Sequence, residues 1–390
     1  MKIFIIASRV PYPLEKGDKL RIYHQAKELA KSNEVFLCCL QVGKIHPQAK
    51  QELEKICTHV KFVKLSKLKV IINLFLAFFS SKPFQVSYFY QRKAQKEIDD
   101  LITEFKPDHI YAQLIRTSEY VKMKHHIPKT LDYMDSFSLG MSRRAENASI
   151  FLRPIFASEA KRLLHYENVI FDYFENHTII SEQDKEQIWH KDRKNITVIP
   201  NGLDANFFHP KSVEKKYDLL FSGNMSYIPN VDAALFLAKD IFPLVVKEIP
   251  NCTLMLAGAT PLAKIEALRS ESIFVSGWMD DIREAYWSAT IFVAPLRLGS
   301  GLQNKLLEAM ATKMPSITSE IANKALGAKV NDEILVSTTA QGFADQIIYL
   351  LKNENSARSM ADKGYQYVTS NFNWKTFSSK LENVIKQNKL

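Results

Sequence analysis

Short apolar runs alternate along the whole chain with longer stretches whose apolar residues recur at helical spacing. That alternation is the pattern of βαβ units, and it predicts parallel sheets covered by helices on both faces. In the first half the predicted strands are "KIFIIAS", "EVFLCCL", "VKFVKL", "DHIYAQL", "TLDYMDS", "HTIIS" and "ITVIP". In the second half they are "DLLFSG", "TLMLAGA", "IFVSG", "IFVAPL", "SITSE" and "EILVS". The series restarts at "IPNGLDANFFHP", Ile199 to Pro210, where an Asn-Gly turn and a proline interrupt it. The expected fold class is α/β, with one doubly wound domain over residues 1–200 and a second over 201–372. A final helix, 373–390, is expected to pack back on the first domain.

Strand exits in the second domain are rich in glycine. Gly223, Gly258, Gly277, Gly299 and Gly301 follow four strands and account for five of the 12 glycines in the chain. Open α/β sheets bind ligands outside the carboxyl ends of their strands, where glycine lets the backbone come close.

The segment "GSGLQNKLLEAMATKMP" extends this pattern. A helix from near Leu302 to just before Pro315 puts Leu306, Leu307, Met310, Ala311 and Met314 on the arc that packs on the sheet. Asn304, Lys305 and Glu308 lie off that arc as neighbours. Ser300, Gly301 and Leu302 offer free N–H groups at a helix start, which suits phosphate oxygens. Lys305 adds a cation, and Glu308 is placed to accept both hydroxyls of a ribose. An exposed ion pair between Lys305 and Glu308 explains the same spacing.

Composition narrows the class. A chain with 46% hydrophobic and 24% charged residues is an ordinary globular one. The cysteines, Cys38, Cys39, Cys57 and Cys252, form no CxxC pair and no zinc spacing, which fits a reducing cytosol. The opening "MKIFIIAS" is too short for a signal peptide and reads as a strand. No acidic metal motif stands out, and "MDDI", Met279–Ile282, reads as a helix start, so no metal is expected. The absence of GxGxxG from "IFIIASRVPYPLEKGD" counts against an NAD-dependent dehydrogenase, and no nucleic-acid module is present.

The net charge of +10 is uneven: residues 1–100 carry 18 Lys and Arg against 9 Asp and Glu. Within that region, "KFVKLSKLKVIINLFLAFFSSKPF" holds an uncharged run, Val70–Phe79, about half of what a bilayer crossing needs. It is either a core helix or a basic apolar helix on an anionic membrane surface.

These segments together carry a resemblance. "IFVAPLRLGSGLQNKLLEAMATKMPSITS" resembles the donor-site segment of glycosyltransferase family 4, the retaining GT-B transferases. "FSGNMSYIPNVDAALFL", "LMLAGATPL" and "GWMDDIREAYWSA" resemble its flanking segments in the same order. "PYPLEKGDKLR" and "EAKRLLHYENVIFDYFENHTIISEQD" are similar to a subgroup associated with bacterial exopolysaccharide and exosortase systems. The resemblance implies two Rossmann-like domains facing each other across a cleft, the first on the acceptor side and the second holding the nucleotide sugar. It implies retaining, metal-independent transfer from a UDP- or GDP-sugar to a glycan or lipid-linked acceptor in polysaccharide biosynthesis. No cofactor is implied. The enzyme would be cytoplasmic or peripheral at the inner face of the cell membrane.

Residue by residue, Glu308 matches the second glutamate of the family's E-x7-E motif, and the first would fall at Ser300. The family's Arg and Lys would fall at Asn224 and Pro229, so Arg297 and Lys305 become candidates for the missing positive charge. Gly223, Asn224, Gly258, Met279, Ser300, Gly301 and Leu302 complete the expected donor site. In the first domain Gly17 is expected near the donor phosphates, with Asp18 and Arg21 on the acceptor side. Asp135, at a strand exit, is a candidate for the acceptor hydroxyl or donor sugar, and a helix cap is the alternative for both Asp18 and Asp135. A sugar-nucleotide epimerase of the same architecture and a non-catalytic nucleotide-sugar-binding subunit are the alternatives to a transferase.

Overall fold

Each of the quoted apolar runs forms a strand in the computed structural model, which describes residues 1–14, 16–146, 148–298 and 301–387. The first series gives β1 (Lys2–Ala7), β2 (Glu34–Gln41), β3 (His59–Lys64), β4 (His109–Gln113), β5 (Lys129–Met134), β6 (Asn176–Ile179) and β7 (Thr197–Val198). The second gives β8 (Tyr217–Ser222), β9 (Leu254–Ala257), β10 (Ile273–Val275), β11 (Ala289–Ala294), β12 (Ser316–Ser319) and β13 (Leu335–Ser337). The chain divides into one unit of Met1–Asn201 with Trp374–Leu390 and another of Gly202–Asn373.

The first sheet runs β3-β2-β1-β4-β5-β6-β7 and the second β10-β9-β8-β11-β12-β13. Neighbouring strands pair in parallel in both. The winding therefore reverses between β1 and β4 and again between β8 and β11. A reversal of this kind leaves a crevice at the carboxyl ends of the two strands, because their following helices go to opposite faces.

Burial follows the two-residue period of the strands. Ile3, Ile5 and Ala7 pack with Ile22, Ala26, Leu381 and Ile385, so the C-terminal helix Trp374–Lys386 covers one face of the first sheet. Phe4 and Ile6 point the other way, toward Ile98, Ile102, Leu163 and Ile170. All four cysteines are free and buried.

The apolar run after β3 behaves otherwise. It forms the helix Lys67–Ala77, in which only Val70 and Ala77 are buried. Phe75 and Phe79 are 63% and 79% exposed, which corrects the reading of this run as a core helix. Among the described residues, no helix is long and apolar enough to cross a membrane.

Candidate active site

In the second unit the switch point lies between β8 and β11, and the segment after β8 forms its floor. Gly223 N donates to Ala257 O at 2.9 Å and Met225 N to Ala259 O at 2.9 Å, so the exits of β8 and β9 are zipped together. A Cβ on Gly258 would stand 1.9 Å from the Gly223 carbonyl oxygen, so only glycine allows this approach. Asn224 organises the loop: its Oδ1 accepts from Ser226 N at 2.9 Å and from Thr260 Oγ1 at 2.9 Å.

The helix that follows β11 is Asn304–Ala311, with Gln303 at its N-cap, slightly shorter than the sequence pattern suggests. Leu306, Leu307, Met310 and Ala311 are buried, while Lys305 and Glu308 are half-buried on the other arc. Their side chains diverge instead of forming a surface ion pair. The Lys305 ammonium reaches back over β8, donates to Asn230 Oδ1 and lies 4.9 Å from the Phe221 ring centre. A Cβ on Gly223 would be 3.1 Å from that ammonium, so the cation sits directly above the strand exit. Burial lowers its pKa to about 7, with the Glu308 charge opposing.

Glu308 has its own support. Tyr286 Oη donates to Glu308 Oε2 at 2.7 Å, and Ser222 Oγ lies 2.7 Å from the same phenol oxygen. The phenol has one proton and gives it to the carboxylate, so Ser222 is the donor to Tyr286. Burial pushes the Glu308 carboxyl up, and the Tyr286 bond and the Lys305 charge hold it down. Tyr286→Phe removes a hydrogen bond to a charged group, and we expect about ten-fold weaker binding of a uridine or guanosine diphosphate by calorimetry. Unchanged affinity would remove Tyr286 from the site.

Arg297 is placed differently from Lys305. Its Nε and Nη2 donate to the two carboxylate oxygens of Asp232 at 3.0 and 2.7 Å, and it stacks 4.3 Å from the Phe236 ring centre. Asp232 thus answers the Arg297 charge, and Lys305 is the cation that overlies Gly223. Gly301 has a φ of 81° and Leu302 is half-buried just before the N-cap. Ser300, with Gly299, lies outside the described residues. Met279 sits half-buried in the loop after the edge strand β10, away from the switch point.

The first unit gathers charge at its own switch point, between β1 and β4. Asp18 lies in the first turn of the helix Gly17–Leu29 and does not cap it; its carboxylate accepts from Arg9 Nη1 at 3.1 Å. Gln113 Nε2, at the end of β4, donates to Asp18 O at 2.6 Å. Gly17 sits beside Met134, where an added Cβ would lie 3.3 Å from the methionine Cε. Asp135 follows β5. The N–H groups of the next helix go elsewhere, those of Phe137 and Ser138 to Glu167 Oε1 and that of Leu139 to Ser136 Oγ. The Asp135 carboxylate is therefore outside the cap. Burial raises its pKa to about 7, Asp184 adds to the rise and Arg21 opposes it. Arg116, after β4, is lowered to about 10 by burial and by Arg9.

Arg21 corrects an expectation. Its side chain is fully buried, with Nε 2.7 Å from Asp132 Oδ2 and Nη2 3.0 Å from Asp132 Oδ1. Nη1 donates to Ile199 O at 2.8 Å and to Asn201 Oδ1 at 3.2 Å. No face of this guanidinium is left for an acceptor, so Arg21 belongs to the frame of the unit.

Sequence reasoning missed Tyr286, Ser222, Asn230 and Asp232 in the second unit and Arg9, Arg116 and Glu167 in the first. Asn230 had a readable signal, since it stands in the first turn of the helix after a glycine strand exit. Tyr286 had none, because it precedes β11 on a short helix with an ordinary apolar pattern.

Residues 216–353 match the family model for glycosyl transferases group 1. The chain is 23% identical over 398 residues to an uncharacterized 44.6 kDa protein in the cps region of Klebsiella pneumoniae, covering 97% of this chain and 98% of that one. Among solved structures it is similar to sucrose-phosphate synthase from Thermosynechococcus elongatus, with a TM-score of 0.71, 14% identity, and 99% and 98% of the two chains covered. It is also similar to HepE from Anabaena in complex with UDP-glucose, with a TM-score of 0.71, 12% identity, and 99% and 100% covered.

Proposed function

From a second unit that carries a group 1 glycosyltransferase domain, we propose that this protein moves a sugar from a nucleotide-diphosphate sugar to an acceptor hydroxyl. The observation that carries the reading is the pair of separately held groups on one helical turn at the β8/β11 switch point. Lys305 overlies Gly223, where a diphosphate would enter, and Glu308 is oriented by Tyr286 to accept from a ribose. The departing diphosphate gains negative charge as the glycosidic bond breaks, so a fixed cation and N–H donors aimed at it lower the barrier. The Anabaena neighbour, solved with UDP-glucose, supports a nucleotide-sugar donor, with a UDP- or GDP-sugar as the proposed one, and the cps location of the Klebsiella relative supports a role in surface polysaccharide assembly. Retention of configuration and independence of metal belong to the same proposal. So do a glycan or lipid-linked acceptor and action on the cytoplasmic side of the membrane. In the first unit, Asp135 is the proposed partner of the acceptor hydroxyl.

The test is calorimetric screening of nucleotide sugars against the wild type and Lys305→Ala, followed by assay of nucleoside-diphosphate release with lipid-linked acceptors. Binding that needs Lys305 and release that needs an acceptor establish a transferase. A new sugar nucleotide formed from donor alone marks an epimerase, and binding without any turnover marks a binding subunit.

The pH dependence of donor binding is a further check. Lys305 is protonated below about pH 7 in the free protein, and only the ammonium attracts the diphosphate. A nucleotide sugar is a diphosphate diester that does not itself titrate near neutrality. Its affinity should be greatest below pH 7 and weaken by up to about ten-fold per unit above it. Lys305→Met should flatten the profile; a flat profile in the wild type would contradict the assignment.

A further inference from the structure

The helix Lys67–Ala77 is inverted for a surface helix. Its packed face, Val70, Asn73, Leu74 and Ala77, includes an amide: Asn73 Nδ2 donates to Ser87 O at 3.2 Å and to Tyr90 O at 2.7 Å. Its open face carries Leu68, Ile71, Ile72, Phe75 and Leu76, and the following turn adds Phe78 and Phe79. A water-facing helix normally shows the opposite arrangement.

A second exposed apolar segment, Ile150, Phe151, Leu152 and Ile155, begins the helix Arg153–Phe171. That helix abuts the end of the first one. Arg162 Nη1 donates to Ala77 O and to Lys82 O, and Glu159 accepts from the N–H groups of Phe84 and Gln85. Ile155 stands one turn before Glu159 and two before Arg162, on the same side. Both apolar segments thus lie along one edge of the first unit.

Charge identifies the occupant. Residues 55–96 hold nine Lys and Arg and no Asp or Glu. Lys64, Lys67 and Lys69 are exposed at the start of the inverted helix, and Lys82, after its end, pairs with Glu119. Protein interfaces are depleted of lysine. Two copies meeting through this face would set like charges against each other. Apolar side chains flanked by lysines are what the surface of an anionic bilayer accepts.

We propose that this edge docks on an anionic lipid surface, with Phe75, Phe78 and Phe79 entering the acyl boundary and Lys64, Lys67 and Lys69 among the headgroups. The inference rests on the proposed function for its purpose, bringing the enzyme to a lipid-linked acceptor, and on the exposed face alone for its evidence.

The experiment is sedimentation with phosphatidylglycerol-containing and with pure phosphatidylcholine vesicles at low and high salt. The wild type should bind the anionic vesicles at least about ten-fold better at low salt. Phe75→Asp/Phe79→Asp should abolish most of that binding, and Lys67→Ser/Lys69→Ser should cost about five-fold per lysine at low salt and little at high salt. Because the native cysteines are buried, Phe79→Cys can be labelled selectively with an environment-sensitive dye, with Tyr349→Cys in the second unit as control. Only the first label should shift to the blue on adding anionic vesicles. Equal recovery on both vesicle types, wild-type binding by the Asp variant, or a label that responds to protein concentration without lipid would overturn the proposal. Nucleotide-sugar affinity, measured on the same variants, should remain at the wild-type level. A wild type that binds its donor but shows no preference for anionic vesicles would therefore sink the docking face and leave the transferase reading standing.

Discussion

Lys305→Met should weaken nucleoside-diphosphate binding by roughly thirty-fold or more and lower kcat/KM by about a thousand-fold, while raising the thermal stability of the second unit. The two effects have one origin. The ammonium is held out of water against Phe221 and Asn230, and burial depresses its pKa to about 7. A desolvated charge without a carboxylate in contact destabilises the free fold, and an apolar side chain of similar length removes that cost. With the ligand bound, the same ammonium makes charge-assisted hydrogen bonds of about 1.5–3 kcal/mol each. Charge on the diphosphate grows toward the transition state, so the rate suffers more than the affinity. Calorimetric titration and differential scanning calorimetry on the same preparation read both quantities. A variant that binds as the wild type, or loses binding only because the unit has melted, would refute the assignment. Exchange of Lys329, an exposed lysine of the same unit, serves as the control.

Arg21→Ala should lower the melting temperature of the first unit by about 6–20 °C. The guanidinium joins the helix Gly17–Leu29 to β5 through Asp132 and to the Ile199–Asn201 segment through its other nitrogen. Asp132 Oδ1 also accepts from Thr178 Oγ1 at 2.9 Å, on β6. Truncation leaves the Asp132 carboxylate buried without its counter-charge, a cost of about 3–5 kcal/mol. For a unit of this size each kcal/mol moves the midpoint by about 2–4 °C. The double exchange Arg21→Met/Asp132→Leu removes both charges and should recover more than half of the loss. A single variant that melts within a degree or two of the wild type would show that the pair is not structural.

Much of the fold could be read before any coordinates. All the strands announced themselves as apolar runs because sheets covered on both faces need apolar side chains on both. The helix after β11 was legible for a similar reason: its apolar arc must meet the sheet, which leaves Lys305 and Glu308 on the other arc. What those two residues touch was not legible. Their spacing suits a weak surface ion pair as well as it suits a ligand site, and the structure sends them to different partners.

Which segments become strands and helices, where glycines release the backbone, and which helical turn carries a cation and an acid can all be read from the order of the residues. These are local properties, decided by side-chain periodicity and backbone sterics within a few residues. The three-dimensional arrangement is what sets Lys305 over Gly223 beside Asn230, 75 residues earlier in the chain, and locks Arg21 to Asp132 across 111 residues. It also turns the apolar side of the Lys67–Ala77 helix outward. A hydrophobic pattern shows that a face is apolar but not what covers it, and a charged residue bears no mark of its distant partner. Both follow from which elements the sheet order brings together, and that order is a property of the whole chain.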